Sequence, residues 1–365
     1  MKVLINASNL HAGGGVQVAS SFINQLPCVE RKEMQLSLVC SSAVLRNITK
    51  ESIDLFSRVD EVNVSGFSRL SRKDKSLFSG YDVCFSIFGP VYFNVPVKKH
   101  ICGFAQPWIA YSKNDVYPKL SLYSHILTKT KYLVQKLFFK GYDELIVEHN
   151  SVRKALINNG FKNKITVVNN SYSSVFDSPH LWLDVPDVKS MLGRRFVLGF
   201  IGRPYLHKNI LILKEVNRIL RSKYNMHVDF LFTLTNKEMV QCGFETIDNF
   251  HTVGEIDVVQ CPDFYRKIDA LIFPTLLECF SVSPLEAMKM QVPVIASNRS
   301  FIREIYDEAC LYIDPLNAND IAEKIVLLIS NKLLIKDLVE KGNRHLVKSP
   351  SALDRTLNYL SIIND

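Results

Sequence analysis

The sequence predicts an α/β protein built as two doubly wound domains. Three observations carry that reading. Short apolar runs alternate with helix-like stretches along most of the 365 residues, as expected for parallel strands joined by helical crossovers. The alternation is interrupted once, by the polar, proline-containing "SSVFDSPHLWLDVPDVKSMLG" at 173–193, and then restarts. The chain is also too long for one small core. The predicted boundaries are 1–178 for a first Rossmann-like domain and 179–345 for a second. A C-terminal helix in 346–365 is expected to pack back toward the first.

The elements follow in order. "KVLINAS" (2–8) reads as a buried strand, followed by a glycine loop and an amphipathic stretch from Val16 to Leu26. "QLSLVCS", "DVCFSIF", "KHICGFA" and "ELIVEH" are further strands. Each is a near-continuous apolar run, the pattern of a strand covered on both faces. "KITVVNN" follows the helix-like "SVRKALINNG". After the interruption come "FVLGFIG", "HVDFLFTL", "NFHTVG", "DALIFPT" and "PVIAS", with helix-like segments between them.

Composition excludes several classes. Apolar residues make up 47% and charged residues 22%, ordinary values for a soluble globular chain. No apolar run approaches the roughly 18 residues of a membrane span. The start, "MKVLINASNLHAGGG", turns polar at Asn6 and does not read as a signal peptide. The eight cysteines show no C-x-x-C spacing and no histidine cluster, which suits a reducing cytoplasm better than a disulfide framework or a zinc site.

Charge is uneven. Residues 1–180 hold 22 Lys+Arg against 13 Asp+Glu, an excess of +9; the remainder holds 22 against 23. Much of the excess lies in "RLSRKDK" (69–75) and "KTKYLVQKLFFKGYD" (129–143). Such segments form solvated helix faces or adhere to an anionic membrane surface. No recognition motif accompanies the charge, so nucleic acid is not an expected partner.

In open α/β sheets ligands sit beyond the carboxyl ends of the strands, and three segments there carry chemistry. Gly13, Gly14 and Gly15 follow the first strand in "NLHAGGGVQ", where glycine permits close backbone approach and a helix start favours anions. The spacing is not G-x-G-x-x-G and no acid ends the second strand, which disfavours a nicotinamide dinucleotide; no G-K-[ST] marks a P-loop. A glycine turn without a ligand remains open. In "GFIGRPYLHKN", Arg203 and Lys208 are two cations beyond a strand, able to neutralise a diphosphate or simply to be solvated. In "LLECFSVSPLEAMKMQVPVIASN" (276–298), Ser283 to Glu286 reads as a capping box with Pro284 at the first helical position. Glu278 precedes that helix and has no capping duty, so its carboxylate is expected to be free for hydroxyls. Backbone N–H groups at Val282 and Ser283 would suit a phosphate between the two acids. Hydroxyls on either side of a diphosphate describe a nucleotide sugar.

The E-x7-E pattern from Glu278 to Glu286 resembles the acidic signature of glycosyltransferase family 4, the retaining nucleotide-sugar transferases of GT-B fold. "FVLGFIGRPYLHKN" is similar to the family's G-R-x4-K loop, "FYRKIDALIFPT" to the stretch before the acidic motif, and "FIREIYDEACLYIDPLNANDIAEKI" to the segment after it. "KITVVNNSY" stands where the family has an interdomain V-x-x-N-G turn. The likeness covers about 190–345 well and the first half loosely. It implies two Rossmann-like domains facing a central cleft, and a catalytic set of Arg203, Lys208 and Glu278. Arg203 and Lys208 would hold the donor diphosphate, and Glu278, with the backbone of Phe280 and Ser281, the donor sugar. The Val282 and Ser283 amides would meet phosphate, Glu286 the ribose, and Gly14 and Gly15 the diphosphate from the first domain. The resemblance further implies a UDP-sugar in preference to a GDP-sugar, no cofactor and no metal, in keeping with the lack of a D-x-D. The acceptor would be a saccharide or an undecaprenyl-diphosphate-linked saccharide in bacterial surface polysaccharide assembly. The chain would be cytoplasmic, or peripheral at the inner face of the plasma membrane. A catalytically inert sugar-nucleotide-binding partner subunit and a GT-B sugar-nucleotide epimerase are the alternatives.

The sequence also departs from the family pattern. The usual E-G-F-G reads Glu278-Cys279-Phe280-Ser281, and the N-G turn reads Asn170-Ser171. Where many relatives place a histidine, this chain has Gln106, able to donate to a sugar hydroxyl or phosphate but not to act as a base. His100, earlier in the same strand, reads as structural.

Overall fold

The structure, a computed structural model, describes residues 1–30, 34–188 and 195–365, so the end of the 173–193 stretch, from 189 onward, lies outside the described residues. The chain divides into two compact units. One comprises Met1–Ser112, Leu120–Ser173 and Pro350–Asp365; the other Lys113–Lys119 and Ser174–Ser349.

The first unit is built on a seven-stranded sheet of β1 (Lys2–Ala7), β2 (Gln35–Cys40), β3 (Arg58–Glu61), β4 (Val83–Ser86), β5 (Lys99–Phe104), β6 (Glu144–Val147) and β7 (Lys164–Val167). Its order is β3-β2-β1-β4-β5-β6-β7, and every pair is parallel, as in the register Val3↔Val83 of β1 with β4. The winding direction reverses at β1, so the crevice beyond β1 and β4 is a topological switch point. The glycine loop leads out of that point into the helix Gly14–Gln25. The C-terminal helix Ala352–Asn364 completes this unit's core: Tyr359, Leu360, Ile362 and Ile363 are buried there, and the Tyr359 ring lies 5.4 Å from Phe22 and 5.1 Å from Phe85. A cavity of about 670 Å³ lined by Met1, Lys2, Gln35, Asp82 and Lys98 opens at the amino ends of the strands, the end away from ligand crevices in such sheets.

The second unit has a six-stranded sheet of β8 (Val197–Phe200), β9 (Asp229–Phe232), β10 (Phe250–Thr252), β11 (Ala270–Phe273), β12 (Val294–Ser297) and β13 (Leu311–Ile313). The order is β10-β9-β8-β11-β12-β13, again parallel throughout. Here β8 is the reversal point, with β11 paired to it as Ala270↔Leu198. The loop after β8 carries Arg203 to Lys208 and the loop after β11 carries Thr275 to Val282, so the topology itself brings those segments to one place. Gly199 in β8 is required by packing: a Cβ there would stand 2.5 Å from Ile268 Cδ1. Strands β3 and β13 were not read from the sequence. Both are sheet edges of only four and three residues, and "RVDE" is polar with partly exposed side chains, so neither shows a buried apolar run.

Candidate active site

Beyond β8 the chain makes a short 3-10 turn, Leu206–Lys208, closed by Asn209 at φ 58°. Asn209 is buried and holds the turn in place: its Nδ2 donates to the Pro315 carbonyl at 2.7 Å, and its Oδ1 accepts from Lys119 Nζ at 2.7 Å. The His207 carbonyl accepts from the Leu276 N–H at 2.7 Å, tying this turn to the loop after β11. The result is a contact between residues 70 apart in sequence. Lys208 Nζ donates to Glu278 Oε1 at 2.6 Å, with both side chains largely buried. The Thr275 hydroxyl donates to the same carboxylate oxygen at 2.9 Å, and the ammonium lies 5.2 Å from the Phe273 ring centroid. Glu278 is therefore not the free carboxylate the sequence suggested: the strand-end geometry delivers a cation to it. A buried carboxylate needs such a partner, because uncompensated burial of charge is strongly unfavourable.

Arg203 is held elsewhere in the unit. Its Nε meets Glu238 Oε1 at 3.0 Å and a terminal nitrogen meets Glu255 Oε1 at 3.2 Å. Glu238 is itself fixed, because its other oxygen closes a capping box with Thr235. Glu255 is mostly exposed, and such a pairing is worth little in water. An incoming anion could displace it while Glu238 keeps the guanidinium oriented.

Glu286 corrects a sequence expectation. The helix is Ser283–Lys289, its N-cap is Val282 in right-handed helical geometry with no side-chain cap, and Ser283 and Glu286 form no capping box. The side chain turns inward instead. Glu286 is buried, and the Tyr265 hydroxyl donates to its Oε2 at 2.9 Å while lying 3.1 Å from the Ser283 carbonyl. Burial outcompetes capping because this stretch of helix is enclosed on every face: Pro284, Leu285, Ala287 and Met288 are buried along with Glu286. The same burial pushes its carboxyl from 4.5 up to about 7, against the opposing effect of the Tyr265 hydroxyl.

That shift has a sign in stability. A carboxyl whose folded value lies above its unfolded value keeps its proton in the fold while the unfolded chain releases one. Stability from this group is therefore undiminished below about pH 4.5, declines up to about pH 7 and is level above, a total on the order of 3 kcal/mol. Glu286→Gln removes the titration. Its melting temperature relative to the native chain is expected to rise between pH 5 and pH 8. A constant difference across that range would show that Glu286 ionises in the fold as it does in water.

The remaining candidates are placed as follows. The Ser281 carbonyl accepts from the buried Tyr306 hydroxyl, and the Phe280 ring stands 6.4 Å from the Tyr306 ring. Cys279 is buried beside them. In the first unit, Gly13 is the loop glycine with a left-handed backbone, at φ 67°. A Cβ on Gly14 would meet nothing within 4 Å, whereas one on Gly15 would stand 3.2 Å from Leu10 Cδ2, so packing does not demand glycine at 14. Gln106 occupies the N-cap position of the short helix Pro107–Ala110 without a side-chain cap bond. His100 is structural: its Nε2 lies 3.0 Å from Ser86 Oγ, its ring packs on Tyr142, and burial pulls it down to about 4. The sequence reading missed Thr275, Tyr265, Asn209 and Tyr306. A threonine ending the strand motif "IFPT", just ahead of the acid, was the one available signal.

Residues 195–331 match the family described as "Glycosyl transferases group 1". Among curated proteins the chain is 26% identical over 224 residues to the capsular polysaccharide biosynthesis glycosyltransferase CapM of Staphylococcus aureus, covering 58% of this chain and 59% of that one. It is 28% identical over 120 residues to the O-antigen chain mannosyltransferase RfbU of Salmonella typhimurium, covering 32% and 33%. The aligned part is thus well short of the relatives' full length. Among solved structures, a sucrose-phosphate synthase of Thermosynechococcus elongatus superposes with a TM-score of 0.69 at 13% identity, covering 100% of this chain and 98% of that one. Anabaena HepE in complex with UDP-glucose gives 0.67 at 13%, covering 100% and 99%. At that identity the likeness is one of fold.

Proposed function

We propose, from the group 1 glycosyltransferase sequence that residues 195–331 carry, that the chain is a glycosyltransferase of bacterial surface polysaccharide assembly. It moves a sugar, with retention of anomeric configuration, from a nucleotide diphosphate sugar to a saccharide or lipid-linked saccharide acceptor such as an undecaprenyl-diphosphate-linked chain. The observation that carries this reading is the buried Lys208–Glu278 pair at the β8–β11 switch point. A donor molecule is bipolar in the same way: its diphosphate calls for cations and its sugar for a carboxylate that accepts from hydroxyls. Lys208 and Arg203 neutralise the leaving diphosphate, and its own oxygen assists deprotonation of the acceptor on the same face. Glu278 accepts from donor-sugar hydroxyls while Lys208 holds the carboxylate in place. The Phe280 and Ser281 backbone borders the sugar, the Val282 and Ser283 amides and Gly14 and Gly15 approach phosphate, and Glu286 accepts from the ribose. Gln106 donates to a hydroxyl or phosphate.

Two arginine- and lysine-borne charges replace a divalent ion in this scheme. The sequence carries no D-x-D. The likeness to CapM and RfbU supports the polysaccharide setting, and the UDP-glucose complex of HepE makes a UDP-sugar the first donor to try. Peripheral action at the inner face of the plasma membrane suits a lipid-linked acceptor.

The test is a thermal-shift series with UDP, UDP-sugars and GDP, followed by transfer assays with EDTA. A ligand at 100 Kd is expected to stabilise by about 2.7 kcal/mol, and activity is expected to survive chelation. Absence of any shift with nucleotide diphosphates would remove the donor-site reading. Loss of activity in EDTA, restored by Mn²⁺ or Mg²⁺, would remove the charge roles given to Arg203 and Lys208. Nucleotide release only when acceptor is present separates a transferase from an inert binding subunit and from an epimerase.

A further inference from the structure

The helix Leu122–Phe139 carries apolar side chains on the wrong side for a soluble protein. At 100° per residue Leu122, Ile126, Leu133 and Leu137 fall within a 60° stripe, and they are 79%, 56%, 60% and 62% exposed. The opposite face does the packing: Gln135 and Phe139 are buried, Phe139 against Phe104 at 4.7 Å and Gln135 with Nε2 donating to the Tyr92 hydroxyl at 2.8 Å. Lys129 and Lys136 border the stripe on one side, within about 40° of it; Lys131 lies farther round the helix, about 120° from the stripe, and Lys140 follows the last turn. From 116 to 142 the sequence contains no Asp or Glu.

The second basic segment joins the same surface. Phe67 is 67% exposed, yet its ring lies 4.3 Å from Tyr92 and 5.8 Å from Phe138 of this helix. Arg69, Arg72, Lys73 and Lys75, all exposed, follow Phe67 within eight residues. Two basic segments separated by more than 50 residues thus belong to one unit, and the residue leading into the first packs on the helix that carries the second.

We infer that this surface docks on an anionic lipid bilayer, with the helix lying in the plane of the headgroups. Aliphatic side chains flanked by lysines suit both parts of such a surface, the acyl boundary and the negative headgroups. The helix does not span: no helix among the described residues is long and apolar enough to cross a membrane. A second copy of the chain is a poorer occupant, since pairing the patch with itself sets lysines against lysines. The inference rests on the transferase reading only for its purpose, bringing the site to a lipid-linked acceptor.

The experiment is co-sedimentation of the full chain with vesicles of phosphatidylcholine alone or enriched in phosphatidylglycerol, at low and high salt. The native chain is expected to bind the anionic vesicles at least about tenfold more tightly than the neutral ones, with the difference lost in high salt. The paired change Leu133→Asp, Leu137→Asp, at exposed positions, is expected to abolish binding. Changing Lys129, Lys131 and Lys136 to Gln is expected to weaken it by roughly a hundredfold, about fivefold per lysine. Equal partition into both vesicle types, or undiminished binding by the aspartate variant, would overturn the inference. So would a dimer in light scattering that the aspartate variant dissolves while the native chain ignores vesicles. UDP binding by the same variants keeps the two readings apart: a chain that binds UDP and not vesicles fails only this inference, and the reverse fails only the donor site.

Discussion

Glu278→Gln is expected to slow sugar transfer by about two to three orders of magnitude and to destabilise the second unit by about 3–5 kcal/mol. The second figure follows from the partner: Lys208 is left as a largely buried ammonium 2.6 Å from an amide rather than a carboxylate, and breaking one side of a buried pair costs that order of free energy. The sequence alone suggested a carboxylate free for hydroxyls, and the Lys208 pairing overturns that. Stability and catalysis can still be separated. The double variant Lys208→Met, Glu278→Gln removes the stranded charge, so most of the lost stability is expected to return while transfer stays at background. Melting temperature and turnover of the native chain, the single and the double variant decide the matter. A double variant that is stable and turns over normally would make the pair a structural clamp and nothing more.

The second large effect is expected at Arg355. Its guanidinium is 1% exposed, donates to Asn170 Oδ1 and, at 2.7 Å, to Ser21 Oγ, and burial holds it below its usual value. Asn170 passes the link on, donating from Nδ2 to Glu148 Oε1 at 2.6 Å, and Glu148 is itself buried. Arg355→Met removes a buried positive charge that interacts with Glu148, takes the guanidinium donor from Ser21, and leaves Asn170 Oδ1 with the Ser171 N–H at 2.8 Å. A loss of about 3–5 kcal/mol is expected, read as a lower urea midpoint with an unchanged slope. Adding Glu148→Gln is expected to recover part of it. An Arg355→Met chain that unfolds at the native midpoint would show that the buried charge contributes nothing to stability.

Strands buried on both faces were legible because each reads as an unbroken apolar run, and the rule that ligands sit beyond the carboxyl ends of strands then singled out the candidate loops without any contact information. What the sequence could not display was pairing across distance. The Lys208–Glu278 contact depends on β8 and β11 being neighbours, and Asn170, read as a variant of a turn, is a relay in a buried charge network. Glu286 shows a different limit. Ser-x-x-Glu is a valid local signal, but the tertiary environment decides whether the carboxylate caps a helix or is drawn into a core beside Tyr265. Edge strands β3 and β13 escaped notice because an edge need not be apolar on both faces.

The C-terminal helix has a consequence for how the protein is made. Tyr359, Leu360, Ile362 and Ile363 belong to the core of the first unit, whose other residues end at Ser173. On the ribosome, residues 1–173 therefore emerge with part of their core missing. At about 5–20 residues per second the missing side chains arrive roughly 10–40 s later. Nearly all of the second unit lies within Ser174–Ser349 and is synthesised during that interval. The unit translated first is the last to have all its parts, and its unfinished apolar surface must survive the whole synthesis of its neighbour.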